Sequence, residues 1–163
     1  MTDVGRVAPT DEDVVRAIRS IILAAERLRQ NQAAIREVGV SELLALAHLY
    51  YDGELTPGEL GGRLGLSSGT MTALVDRLES AGYAARSPNP DDRRSQLVRI
   101  SGTGAAIMGS IYAEFAQSIH RTLVGMSAQT RRALIDALVA LAADIDAHSA
   151  TLVNAPEEES RAD

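Results

Sequence analysis

Residues 55–104 read LTPGELGGRLGLSSGTMTALVDRLESAGYAARSPNPDDRRSQLVRISGTG, and this stretch decides the fold. It opens on Thr56-Pro57-Gly58-Glu59, a compact helix start. Thr56 can cap, Pro57 suits the first helical position, and Glu59 can complete a capping box. Leu60 and Leu64 give this short helix its inner face. Gly61 and Gly62 are poor helix residues, at roughly 1 kcal/mol each against Ala. Glycine is acceptable there if another helix crosses closely. Gly65-Leu66-Ser67 reads as a tight turn, with Gly65 able to take a positive φ and Leu66 plugging the corner.

Ser67 or Ser68 caps the next helix, which is predicted to run to about Ala81. Met71, Leu74, Val75 and Leu78 form its buried stripe. The opposite face carries Gly69, Ala73, Asp76 and Ser80, flanked by Thr70, Thr72 and Arg77. Small side chains let a backbone approach a surface, and hydroxyls can contact phosphates or bases. Gly82 stops the helix. Tyr83–Arg86 and Gln96–Ile100 then read as paired strands. The polar tip between them, from about Pro88 to Ser95, carries Asp91, Asp92, Arg93 and Arg94. Arginine at a hairpin tip can reach a narrow minor groove, where the potential is most negative.

Upstream of this stretch the pattern is helical. Residues 1–9 lack periodicity and are expected to be disordered. Thr10 then caps a helix with acids in its first turn. Val14, Ile18, Ile21, Ile22, Ala25, Leu28 and Ile35 recur at helical spacing, and Gly39 is expected to end the run. Ser41 is read as the cap of a second helix, from Glu42 to about Tyr51. Leu43, Leu44, Leu46, Ala47 and Leu49 make it apolar on most sides, which places it at the centre of the fold. Asp52-Gly53 is a turn.

Downstream, Ser101 starts a helix that continues to about Val124, with Ile107, Met108, Ile111, Tyr112, Phe115, Ile119 and Leu123 on its apolar faces. Ser127 caps a last helix, striped by Leu134, Leu138, Leu141 and Ile145. From about Thr151 the chain turns small and acidic, and residues 151–163 are expected to be a disordered tail. The first and the last two helices exceed what one small core can cover. That predicts a helical dimerisation region from residues 10–38 and 102–150, flanking a DNA-binding region over 41–101.

The chain has 163 residues, one domain's worth, and 45% are apolar. It has no cysteine, which removes disulfides, thiolate nucleophiles and cysteine zinc sites together. No apolar run approaches the ~20 residues that span a bilayer, and no leader pattern opens the chain. A cytoplasmic protein without membrane contact is expected. The net charge of −6 is concentrated at the ends: residues 1–13 and 156–163 each carry four acids and one Arg. Within 55–104, six Arg meet five acids. Electrostatic binding depends on such local patches rather than on the total. All sixteen basic residues are Arg, so any phosphate contact would be a planar, forked one.

The strings LTPGELGGRLGLSSGTMTALVDRLESAGY and NPDDRRSQLVRISGTG resemble the helix-turn-helix and wing of the MarR family of bacterial transcription regulators. Two helices before the motif and two long ones after it match that family's order. The resemblance implies a mainly α fold with a small β-hairpin wing, and an obligate homodimer with interlocked terminal helices. Its helix 68–81 would enter the major groove of double-stranded DNA and its wing the minor groove. Carried over by residue, Ser67, Ser68, Thr70 and Thr72 lie at the groove, and Arg77 supports phosphate or base contacts. Arg93 or Arg94 is the wing-tip residue, and Asp92 holds a wing arginine in position. Ala73 stands where relatives often carry a polar or basic side chain, which implies a thinner base readout.

The family often senses aromatic amphiphiles, so a small-molecule effector is a further expectation. His48, Tyr51, Arg86, Met108, Tyr112 and Phe115, with Tyr50, are the residues that would line its pocket. The expected function is a sequence-specific regulator, a repressor on a pseudo-palindromic operator. The other reading is a regulator that uses the winged helix to bind protein, without DNA. Catalysis is not expected: there is no Ser/His/Asp spacing, no paired carboxylates, and GGRLGLSSGT lacks the Lys of a phosphate loop. His48, His120 and His148 fall on three different helices, so no metal or other cofactor is expected.

Overall fold

The computed structural model of the chain describes residues 8–92 and 94–153. The disorder expected for residues 1–7 and 154–163 lies outside that range. Among the described residues six helices and one hairpin follow in order. They are α1 (Asp11–Ile35), α2 (Val40–Asp52), α3 (Pro57–Leu64), α4 (Ser68–Ser80), β1 (Ala84–Pro88), β2 (Gln96–Ile100), α5 (Gly102–Leu123) and α6 (Ala128–Val153). The chain divides after Glu114, inside α5, into two compact units.

In the first unit, α1 starts on a reciprocal capping box. Thr10 N–H donates to Asp13 Oδ2 at 3.0 Å, and Asp13 N–H donates to Thr10 Oγ1 at 3.3 Å. These bonds hold the Asp13 carboxyl below its usual pKa. The helix ends at Ile35, not at Gly39, because Glu37 takes a positive φ of 54°. Gly39 instead caps α2, with its N–H donated to Glu42 Oε2 at 2.8 Å. Glu42 supplies the capping acceptor from within the helix, so α2 begins before Ser41 rather than after it.

As expected, α2 is central. It packs on α1, α3, α4 and β2. Leu46 and Leu49 of α2, Leu60 of α3, Met71, Leu74 and Leu78 of α4, and Val98 of β2 are the largest fully buried side chains, with Val75. Burial of this kind is worth about 1.5–3 kcal/mol per large aliphatic side chain. The capping box of α3 forms as expected: Thr56 N–H donates to Glu59 Oε2 at 2.7 Å, and Glu59 N–H donates to Thr56 Oγ1 at 3.2 Å. Gly65 sits at φ 65° and turns the chain into α4. A Cβ on Gly61 would lie 3.3 Å from the Leu66 carbonyl oxygen, and 3.6 Å from Met71 Cγ. So Gly61 is there for close approach to the turn and α4.

The hairpin is antiparallel, in register from Ala84 opposite Ile100 to Pro88 opposite Gln96. It runs two residues further than the sequence pattern indicates. Asn89 Nδ2 donates to Ser95 Oγ at 2.8 Å and closes the loop just past Pro88. Leu55 adds a bridge on the other side of β2: Val98 N–H donates to Leu55 O at 2.7 Å, and Leu55 N–H to Val98 O at 3.1 Å. β2 is thus held on both edges at its buried centre.

At the hairpin's root, Ser101 Oγ donates to Gly82 O at 2.6 Å, and accepts from Gly104 N–H at 3.0 Å. Ser101 N–H donates to Tyr83 O at 2.9 Å. In the second unit, Ser127 caps α6, accepting from Thr130 N–H at 3.1 Å. Arg131 Nη2 donates to Leu123 O at 2.8 Å, satisfying a carbonyl at the end of α5. α6 continues to Val153, so residues 151–153 are helical and not part of a disordered tail. Among the described residues, no helix is long and apolar enough to cross a membrane.

Candidate nucleic-acid interface

The surface that α4 offers is set by its cap and its small residues. Ser67 Oγ accepts from Thr70 N–H at 3.4 Å and lies 2.9 Å from Thr70 Oγ1. Thr72 Oγ1 donates to Ser68 O at 2.9 Å. Ser67, Ser68, Thr70 and Thr72 are all exposed, as are Gly69 and Ala73. Of the four hydroxyls, only that of Ser68 lacks a hydrogen bond among the described residues. A Cβ on Gly69 would meet nothing within 4 Å, so this side of the helix is open.

Arg77 is exposed too, but its Nε donates to Glu42 of α2. Burial pushes the Glu42 carboxyl up; the Arg77 hydrogen bond, the Gly39 N–H and the Arg77 charge outweigh that, and its pKa is lowered. The bond ties Arg77 to the start of α2 through its Nε.

In the wing tip, Asp92 Oδ1 accepts from Arg94 N–H at 2.9 Å, while Asp92 O accepts from Ser95 N–H at 3.0 Å. Asn89 Oδ1 accepts from Asp91 N–H at 3.0 Å. Asp92 therefore holds a wing arginine through the backbone N–H of Arg94. The reason is local: an Asp side chain bonds most readily to the backbone two residues on. Arg94 is exposed and forms no ion pair among the described residues. Arg93, the other expected wing-tip residue, lies outside them.

Three arginines of this region are neutralised within the unit. Arg63 pairs with Asp52, Arg77 with Glu42, and Arg86 with both Asp76 and Glu79. Arg94 and Arg99 carry no ion pair among the described residues, and both are exposed. Arg99 escaped the sequence reading; its signal is its place in β2, next to buried Val98, where alternation turns it outward. Also missed were Pro57 and Gly58. One depression is lined by Ser68, Met71 and Thr72 with these two residues; a second is lined by Asp92, Arg94 and Ser95 with the same two. The start of α3 therefore joins the α4 surface to the wing.

The residues expected to line an effector pocket are only partly brought together. The Tyr51 and Tyr112 ring centroids are 4.5 Å apart, and Tyr50 stacks on Tyr112 at 5.5 Å. Burial, helped by the neighbouring tyrosines, raises the Tyr112 hydroxyl's pKa strongly. His48 Nδ1 lies 3.1 Å from Asp52 Oδ2. Met108, in contrast, is 2% exposed and belongs to the core. Arg86 is committed to α4: its Nη2 lies 2.8 Å from Asp76 Oδ1, and its backbone N–H donates to Glu79 Oε1 at 2.7 Å. Phe115 lies in the second unit and is exposed. No group of acids and histidines able to hold a metal ion occurs among the described residues.

The family model described as MarR family matches residues 40–96. An HTH-type transcriptional regulator of Bacillus subtilis, YcgE, is 47% identical over 70 residues, 42% of this chain and 46% of that protein. This match thus spans less than half of that relative's length. The multiple antibiotic resistance protein MarR of Salmonella typhimurium is 31% identical over 108 residues, 66% of this chain and 75% of that protein. Among solved structures, mutant MarR from E. coli complexed with operator DNA superposes with a TM-score of 0.54 at 27% identity. That likeness covers 78% of this chain and 92% of that one.

Proposed function

The chain belongs to the MarR family of transcription regulators, and from that premise we propose that it is a homodimeric repressor binding a pseudo-palindromic operator. Helix α4 enters the major groove, and the wing lies along the minor groove. Two copies place their α4 helices about one helical turn, roughly 10 bp, apart. The observation that carries this reading is the single surface joining Ser68 and Thr72 of α4, through Pro57 and Gly58, to Arg94 at the wing tip. It is small and hydroxyl-bearing at one end and at the other carries Arg94, which has no ion pair among the described residues.

Ser67 and Thr70 shape the first turn of α4 that meets the groove, Arg77 braces against phosphate, and Arg93 and Arg94 serve the wing. Support for the homodimer comes from apolar residues left uncovered on the long helices. Ile21 and Ile22 of α1 are each 61% exposed, Ile35 75%, and Val139 of α6 64%. Those side chains need a partner surface, and a second copy supplies the same faces. Release by a small aromatic effector is the further part of the proposal. The tyrosine cluster of Tyr50, Tyr51 and Tyr112, beside His48, has the chemistry for it.

The test is fluorescence anisotropy of a labelled duplex from the region upstream of the protein's own gene, with unlabelled random DNA as competitor. Binding that survives the competitor and weakens steeply with salt is the expected result, since phosphate contacts release counterions. Salt-insensitive binding, or none to any fragment in a genomic pull-down, would overturn it.

A further inference from the structure

The hydrogen-bond pattern of α4 points to how it reads bases. A threonine hydroxyl has one proton to give. That of Thr72 is given to Ser68 O, inside its own helix. The oxygen turned toward the backbone leaves the methyl group as the outward-facing part of the side chain. The next residue, Ala73, offers only a methyl. It lies at the centre of the face opposite Met71, Leu74, Val75 and Leu78, all buried. One turn earlier Gly69 offers no side chain at all and meets nothing nearby. Thr70 and Ser67 share their hydroxyls with one another. Ser80 gives its proton to Asp76 O at 2.8 Å. Between the Ser68 hydroxyl at its start and Asp76 and Arg77, both held in ion pairs, at its end, the exposed middle of α4 is dominated by the methyl groups of Thr72 and Ala73.

In the major groove one base-edge group is apolar, the C5 methyl of thymine, and Ala and Thr methyls are its natural contacts. We propose that Thr72 and Ala73 are specificity-determining residues that recognise thymine methyls by apolar contact, and not purine edges by hydrogen bonding. This rests on the reading of α4 as the groove-binding helix. Gly69 permits it, because the absence of a side chain lets the helix approach closely enough for methyl-to-methyl contact.

The experiment begins by selecting the preferred duplex from a random library with the full-length protein. Each thymine of the selected site is then replaced, one at a time, by deoxyuridine, which keeps the pairing and removes only the methyl. The expected result is a loss of about fourfold in affinity per contacted methyl, at one or two thymines in each half-site, and none elsewhere. Thr72→Val keeps the methyl and loses the hydroxyl, so it should retain that discrimination. Thr72→Ser does the reverse and should abolish it at one position. Equal affinity for thymine and uracil at every position would overturn the methyl readout and leave DNA binding standing. So would Thr72→Val behaving like Thr72→Ser. If selection enriches no sequence, the DNA-binding reading itself falls, and this inference with it.

Discussion

Arg86 on β1 reaches Asp76 on α4, with its Nη2 2.8 Å from Asp76 Oδ1. The same guanidinium also bonds Glu79, one turn further along α4. Burial works against the charge on Arg86, but its bonds to the two carboxylates dominate and raise its pKa. Arg86→Gln should thus leave two carboxylates side by side without their cation. The expected cost is about 1–2 kcal/mol of unfolding free energy, since the pair is only partly buried. Denaturant unfolding of the variant checks this, and an unchanged midpoint would refute it.

Two glycines predict opposite outcomes. A Cβ at Gly62 would meet nothing within 4 Å, and the position is inside α3 with ordinary helical backbone. Gly62→Ala should stabilise the protein by about 1 kcal/mol. A Cβ at Gly104 would sit 2.3 Å from Tyr83 O and 2.9 Å from Ile100 Cγ1. Gly104→Ala should destabilise by about 1–3 kcal/mol, as overpacking does. Thermal melts of the two variants should move in opposite directions.

The lowered pKa of Glu42 gives a pH dependence with a definite sign. The folded state holds the ionised carboxylate more tightly than the unfolded chain does. Its contribution is complete above the usual carboxyl value of 4.5, and is lost as the pH falls through the lower folded value. Wild type should therefore melt above Glu42→Gln at pH 7, and the gap should close in acid. A gap that persists or widens toward pH 3 would contradict the ion pair with Arg77.

The proposed homodimer predicts that melting depends on protein concentration, because association binds the folded state alone. Replacing both Ile21 and Ile22 by Glu should shift sedimentation toward the monomer and lower the melting point. A variant that remains a dimer would place the contact elsewhere on the chain.

The fold was legible where the determinants are close in sequence. Thr56-Pro57-Gly58-Glu59, Gly65 and the stripe Met71, Leu74, Val75, Leu78 act over one or two helical turns, and each behaves as its spacing indicates. Boundaries went astray where a partner is not obvious from type. Glu42 reaching back to Gly39 moves the start of α2, and Asn89 meeting Ser95 moves the hairpin tip. The candidate interface was legible as residue types on a helix face, not as bonds. Arg86 illustrates this. Sequence suggests an effector ligand, while its pairing with Asp76 and Glu79 depends on how β1 lies against α4. The bridge from Leu55 to Val98 likewise joins residues too far apart in the chain for any local pattern to signal.

Gly104 has a mechanical consequence. With no room for even a methyl between it and Tyr83, the first turn of α5 and the root of the hairpin are welded. The five-residue strands above that weld form an arm about 17 Å long. A swing of about 10° at the root would carry the tip by about 3 Å, roughly the length of one hydrogen bond. An angular change at the start of α5 would thus be transmitted to the hairpin, with the bridge from Leu55 to Val98 as the restraint on how far its tip at Arg94 could follow.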